Sequence, residues 1–347
     1  LEMLFVFVLL LPLAAVDARV TFEKSEVLDN VDLKGANAVA PFRCANGCRV
    51  YSPTQSDTIG IFDGAGNQKK SLRDLSNDNQ GFELPGGTYQ LKNTGMADPS
   101  FVFYAVEKGA ADYGCAVFYR TDTQPFILEA TEIGPVTILS TTGAVTFSVF
   151  TGFKTGYLPT VYAAGFDSTT PCRPVYTPSS PETLTATSIS VHSPIATVDI
   201  KTKADGQLLT VSGADSKYTL AQDASAVYVS PGYIGCPAIP SIGDSLYTLL
   251  PKVAGIQEYI KASDSNGLSL AVHGDYNIAK EADAIELTVN DKAKKLYGKN
   301  SILDTYDGSK FTVNFLWTKT NDKDGFAIQI DITSKQGVSN PVVATTT

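Results

Sequence analysis

The chain has 347 residues, 36 acidic and 27 basic, for a formal net charge of -9. A nucleic-acid binder needs a Lys/Arg surplus to release counterions, and this charge has the wrong sign, so it excludes nucleic acid and a basic membrane-surface patch. With 43% apolar residues, the length predicts two or three domains, each burying its own core, and excludes disorder throughout.

Only 18% of residues are charged while Tyr, Phe, Thr, Val and Gly are plentiful, which favours strands and turns. An all-β fold of three consecutive antiparallel β-sandwich domains is expected. In chain order, residues 4–16 form an apolar run broken by Pro12, too short to cross a bilayer but suited to the core of a signal peptide. Val16-Asp17-Ala18 presents small residues to a signal peptidase, so 1–18 is read as a signal peptide and Arg19 as the mature N-terminus of a secreted, extracellular protein. No later segment reads as a membrane span.

Residues 19–123 carry short alternating runs at 20–22, 58–62, 82–84, 88–91, 101–106 and 116–119, the pattern of a first sandwich. Pro85-Gly86-Gly87 is expected to supply positive φ for a tight hairpin. The polar stretch 69–79 reads as a loop with one helical turn. Gly64-Ala65-Gly66 lacks the Lys-Ser/Thr of a phosphate loop and reads as a hairpin turn. Residues 124–240 repeat the style at 136–139, 144–150, 188–191, 196–200, 208–211 and 226–229, with Asp205-Gly206 as a hairpin turn. From 241 to 336 the rhythm changes: 285–289, 311–315 and 326–332 alternate and Asn290-Asp291 turns, ahead of a flexible tail at 337–347.

Five cysteines in a secreted chain mostly pair and leave one over. Cys48-Arg49-Val50-Tyr51-Ser52-Pro53 is echoed by Cys172-Arg173-Pro174-Val175-Tyr176-Thr177-Pro178, and Tyr113-Gly114-Cys115 by Tyr233-Ile234-Gly235-Cys236. Two copies of one domain would show this. The echo pairs Cys48 with Cys115 and Cys172 with Cys236, leaving Cys44 buried and inert or free to link two molecules. The rival pairing joins Cys44 to Cys48 across a tight Ala-Asn-Gly turn and leaves Cys115 free.

In the last block, Asp283 ahead of a strand, a turn, residues 303–308, the run 311–315, a polar loop and Gly325-Phe326 opening a last strand form an order that resembles the second half of a CUB domain. In particular it resembles the CUB-like domains of secreted nematode proteins. The resemblance implies an extracellular β-sandwich serving recognition, in gut or defence settings, and not an enzyme. It also places Asp283 where one calcium ligand of a CUB domain would stand, with Asp322 or Asp324 as further oxygen donors; a solvated acidic turn is the plainer reading, and no metal is assigned.

Catalytic signals are sparse. His192 and His273 fall in different expected domains, so a Ser-His-Asp site would need long-range assembly. Asp283 and Glu286 lie too close on one strand edge for a glycosidase pair. Zinc spacing occurs only at Cys44 and Cys48, which oxidation claims first. No cofactor is implied. With no Asn-X-Ser/Thr sequon, bare sandwich faces remain for an extracellular protein or carbohydrate partner, or for self-association. Tyr51, Tyr104, Phe118, Tyr119, Tyr157, Tyr162, Tyr176 and Tyr233 are the candidate anchors, if not core or loop packing. Non-catalytic recognition is the expected role; a structural subunit of an extracellular polymer and a hydrolase with a late-assembled site are the alternatives.

Overall fold

The structure, a computed structural model, describes residues 25–29, 33, 36–96, 101–109, 116–122, 124–129, 134–163, 174–185, 187–200, 206–213, 223–230, 233, 258–278, 281–315 and 325–335. The expected signal peptide, the tail, Cys115, Cys172 and Cys236 lie outside these residues. The fold is all-β, as the composition predicted, in stacked and mostly antiparallel sheets.

The first unit contains β1 (Ser25–Asp29), β2 (Val39–Cys44), β3 (Cys48–Tyr51), β4 (Ile59–Asp63), β5 (Gln68–Ser71), helix α1 (Leu72–Ser76), β6 (Phe82–Leu84), β7 (Gly87–Asn93) and β8 (Val102–Glu107). They form two sheets, β1-β8-β3-β6 and β2-β7-β4-β5. Strict alternation along β2 buries Ala40, Phe42 and Cys44, and these meet Val50, Ile61, Leu91 and Phe103 in the first core. The helical turn expected in the polar stretch is α1. It starts on a capping box in which Ser71 Oγ accepts from the Asp74 amide and the Asp74 carboxylate accepts from the Ser71 amide.

Two sequence expectations are corrected in this unit. β6 and β7 belong to different sheets, so Pro85-Gly86-Gly87 carries the chain across the sandwich and is not a hairpin; neither Gly86 nor Gly87 takes positive φ. Gly86 is required by close approach instead, since a Cβ there would lie 2.9 Å from the Ala45 carbonyl oxygen. The second correction concerns the cysteines. Gly47, at φ 96°, turns the chain from the end of β2 to the start of β3 and brings the two Cα atoms to 5.3 Å, and Cys44 and Cys48 are disulfide-bonded. Cys44 is therefore not the unpaired thiol, and Cys48 is not joined to Cys115.

The second unit contains β9 (Ala116–Arg120), β10 (Phe126–Glu129), β11 (Gly134–Ser140), β12 (Val145–Thr151), β13 (Thr160–Tyr162), helix α2 (Pro181–Thr185), β14 (Thr187–Val191), β15 (Ile195–Ile200), β16 (Leu208–Ser212) and β17 (Ala224–Val229). One sheet runs β13-β15-β11-β9; the other begins β10-β16-β12-β14-β17. The pairs β9/β11 and β14/β17 are parallel, unlike any pair in the first unit. Because β9 joins β11, sheet membership changes before residue 116, ahead of the expected cut between 123 and 124. β15 and β16 lie in opposite sheets, so the connection between them is a crossover and not the expected hairpin; Gly206 is at its end, and Asp205 lies outside the described residues. Phe147, Val161, Ile189, Val198 and Leu209 lead the second core between these sheets.

The outer faces of the two units also pack together. Tyr51, Val102, Tyr104 and Val106 of the first unit meet Val117, Leu139 and Ile195 of the second in a separate apolar cluster. Sheet β1-β8-β3-β6 is thus covered on both sides, which is why β8 is apolar from Val102 to Val106 and buried at all six residues, Glu107 included.

The third unit, β18 (Glu258–Ile278), a 3-10 turn (Glu281–Asp283), β19 (Ile285–Val289), β20 (Lys292–Leu296), β21 (Gly298–Phe315) and β22 (Gly325–Ser334), makes no sheet of its own. It extends the second sheet of the preceding unit as β17-β22-β18-β21-β19-β20, giving ten strands in all. Residues 303–308 and 311–315, expected as separate segments, are one strand. β18 and β21 pair along 258–263 with 310–315, slip register between Ser263 and Leu268, and pair again along 268–278 with 298–308. β19 pairs with residues 311–315 of β21 and β22 with residues 268–277 of β18. Leu270, Val272 and Ile330 from one half share a third core with Leu287, Phe311 and Val313 from the other, so the sheet folds over onto itself. Gly267, at φ 85°, stands at the register slip where the fold-over occurs. The Asn290-Asp291 turn is confirmed: φ values of 46° and 66° make it the tight β19–β20 hairpin.

β17 carries the joint. Ala226 and Tyr228 point into the third core, Val227 and Val229 into the second. Two cores lie on opposite faces of one strand, and the expected boundary at 240/241 does not interrupt the sheet.

Candidate functional site

Of the two histidines, His273 is brought to a carboxylate. Pairing places Ser225 of β17 opposite Asp331 of β22, and Asp331 opposite Ala271 of β18, so Ser225, Asp331 and the next position of β18 on that side, His273, share one face. The Asp331 carboxylate is the hub. Oδ1 accepts from Ser225 Oγ at 2.5 Å and Gln329 Nε2 at 2.9 Å, and Oδ2 lies 3.1 Å from His273 Nε2. The same row continues through Thr187, opposite Ser225, to the Tyr176 hydroxyl 3.1 Å from Thr187 Oγ1, at the rim of the second core. Burial pushes the Asp331 carboxyl up, but the hydrogen bonds from His273, Gln329 and Ser225 together outweigh it and leave the group below the ordinary carboxylate range.

This order differs from that of a nucleophilic triad. There the imidazole stands between hydroxyl and carboxylate and takes the hydroxyl proton. Here the carboxylate stands between hydroxyl and imidazole, and Ser225 is buried. What the arrangement does is join three strands, β17, β22 and β18, where the second unit passes into the third. His192 follows β14, buried, with its amide donating to the Val229 carbonyl; β14 and β18 are separated by two strands, about 14 Å at strand spacing, so the two histidines form no pair.

A lowered folded-state pKa at Asp331 stabilises the fold fully above the unfolded value and loses that contribution as pH falls through the folded value. Wild type is therefore expected to lose stability below about pH 4 more steeply than Asp331→Asn, measured as urea midpoints from pH 2 to 6. Parallel curves for the two proteins would count against the hub.

Other expected site residues have structural places. Asp283 closes the 3-10 turn, Glu286 on β19 accepts from Asn314 Nδ2 at 3.4 Å, and Asp322 and Asp324 lie outside the described residues. Among the described residues no three His, Cys, Asp or Glu side chains converge as a metal site. Gly64-Ala65-Gly66 forms the β4–β5 hairpin turn: Asp63 accepts from the Ala65 and Asn67 amides, and the Lys69 and Asn67 hydrogen bonds hold its carboxyl well below its ordinary value. Among the aromatic candidates, Tyr51 and Tyr104 stack within the cluster between the first two units, and the Tyr119 hydroxyl bridges the same interface, accepting from the Ser52 amide and donating to the Asp78 carbonyl. Phe118 and Tyr233 pack against the second core, and Tyr176 is inside it. Tyr162 is half-buried, whereas Tyr157 is exposed. Ser225, Gln329 and Asp331 carried no signal along the chain, because the contacts joining them span up to 106 residues.

No family model and no curated protein matches the chain. Among solved structures it is similar to the CUB1-EGF-CUB2 domains of rat MASP-1, at 9% identity over 62% of this chain and 99% of that one, with a TM-score of 0.24. It is also similar to a salicylate 1,2-dioxygenase from Pseudaminobacter salicylatoxidans, at 10% identity over 88% and 69% of the two chains, with a TM-score of 0.15. Scores this low establish no shared activity. No helix among the described residues is long and apolar enough to cross a membrane.

Proposed function

We propose that the chain is a secreted, non-catalytic recognition protein acting outside the cell on a protein or carbohydrate partner. The observation that carries this reading is the Cys44–Cys48 bond, buried in the first core, since such bonds form and persist in oxidising compartments. The Asp331 hub adds support, because its Ser-Asp-His order serves strand pairing and does not direct a base at Ser225. The CUB resemblance of the last unit agrees with a recognition role and is held here as part of the proposal.

Against the polymer alternative, β20 ends the ten-stranded sheet with Lys292, Lys294 and Lys295 exposed, and charged edges of this kind resist strand-to-strand association. Expression in a secretory host with the chain's own leader tests the reading. Recovery from the medium, starting at Arg19, oxidised at Cys44 and Cys48, and monomeric across concentrations in size-exclusion chromatography is the expected result. Retention in the cell with reduced thiols would overturn secretion, and concentration-dependent fibres would favour the polymer.

A further inference from the structure

The seam between β9 and β10 holds a buried charge whose donors its surroundings leave without hydrogen bonds. β9 is the last strand of one sheet and β10 the last of the other, and no ladder joins them. Both edges lie on the same side of the second core, where Phe118 of β9 and Phe126 of β10 bring their ring centroids to 6.4 Å. Alternation along β9 sends Val117 toward the first unit and Ala116 and Phe118 toward the second core. Arg120 continues the inward set.

Its guanidinium carbon lies 5.7 Å from the centroid of the Phe126 ring, and the residue is 2% exposed. Nε and Nη2 are both buried without a hydrogen-bond partner. Those two N–H groups form one edge of the guanidinium, and an edge of this kind receives both oxygens of a carboxylate or phosphate in parallel. The acidic neighbour is Asp122, whose Oδ1 is 3.7 Å from Nη2, beyond hydrogen-bond length, with its side chain 68% exposed. Arginine does not escape burial by losing its proton, and a buried charge with vacant donors opposes folding.

We propose that the β9–β10 seam is a binding site for a small oxyanion, a carboxylate or phosphate group held by the Nε and Nη2 edge of Arg120 over Phe126. The ligand enters by parting two strand edges, which breaks no ladder hydrogen bonds. Asp122 stands at the entrance as a competing carboxylate.

The test is the melting temperature of the intact, oxidised chain at constant ionic strength in chloride, acetate or phosphate. Acetate or phosphate is expected to raise it saturably, by on the order of 2 to 4 °C at ten times the dissociation constant, while chloride does not. A response to acetate alone identifies a carboxylate ligand and to phosphate alone a phosphate; both support the site. The rise should vanish in Arg120→Met and weaken at least tenfold in affinity in Arg120→Lys, which keeps the charge but loses the fork. Should both variants fail to fold, the Arg120 Nε resonance of the wild-type chain must shift on phosphate or acetate titration. Asp122→Asn separates the rival: with an external anion its response is kept or enlarged. A melting temperature lowered by Asp122→Asn with no anion response, or equal melting in all three salts, overturns the proposal.

Discussion

Replacing Gly274 with alanine is expected to remove roughly 3 to 5 kcal/mol of stability, among the larger effects a single methyl group produces. Gly274 sits within β18 at φ 146°, and a Cβ there would lie 2.1 Å from the Ala327 carbonyl oxygen and 2.9 Å from the Ile328 Cα. Both obstacles are backbone atoms of β22, so no rotamer change relieves the clash and the two strands must separate locally. That ladder also holds Asp331 in reach of His273, one residue before the glycine. Gly267→Ala is the control. Its φ of 85° carries the usual penalty for a side chain, about 1 to 2 kcal/mol, but its Cβ would meet nothing nearer than Lys335 Cδ at 3.9 Å. Urea unfolding of both variants checks the contrast; equal losses, or a Gly274→Ala protein within about 1 kcal/mol of wild type, would show that β18 and β22 are not so closely apposed.

Much of the fold was legible because burial on one face leaves a period of two. The runs that became β6, β11, β14, β15 and β17 were found within a residue or two of their ends. β18 was not read as a strand at all, because Lys261-Ala-Ser-Asp-Ser-Asn-Gly267 is polar and turn-rich, and of it only 261–263 pair with β21 before the register slip. Turn chemistry was read correctly at Asn290-Asp291, where the strands it joins are neighbours. It misled at Pro85-Gly86 and Asp205-Gly206, because glycine and proline mark a change of direction without saying whether the next strand pairs in the same sheet. The Cys-Arg echo suggested a repeat, yet the parallel pairs of the second unit have no counterpart in the first. The sites were harder still. Arg120 directly follows the run read at 116–119, but which face it takes shows only in the fold, and the Ser225–Asp331–His273 hub depends on strand order alone.

Tyr228→Ala should cost about 3 to 5 kcal/mol, the range for removing a large aromatic side chain from a core, and the loss should be felt on both sides of β17. Tyr228 is 1% exposed and packs in the third core, while Val227 on the reverse face packs in the second. β17 is hydrogen-bonded to β14 on one side and β22 on the other, so whatever loosens it strips pairing from both neighbours. Three independent domains would behave differently, because a cavity in the last would leave the others at wild-type stability. Native-state hydrogen exchange at moderate urea distinguishes the cases. Amides of Thr187–Val191 and Gly325–Ser334 are expected to lose protection together in Tyr228→Ala, and again in Val227→Ala, whose cavity opens the opposite core at a cost of about 2 kcal/mol. If Tyr228→Ala exposes only β22 while β14 keeps its wild-type protection, the ten-stranded sheet is not one cooperative element, and the second and third units fold separately.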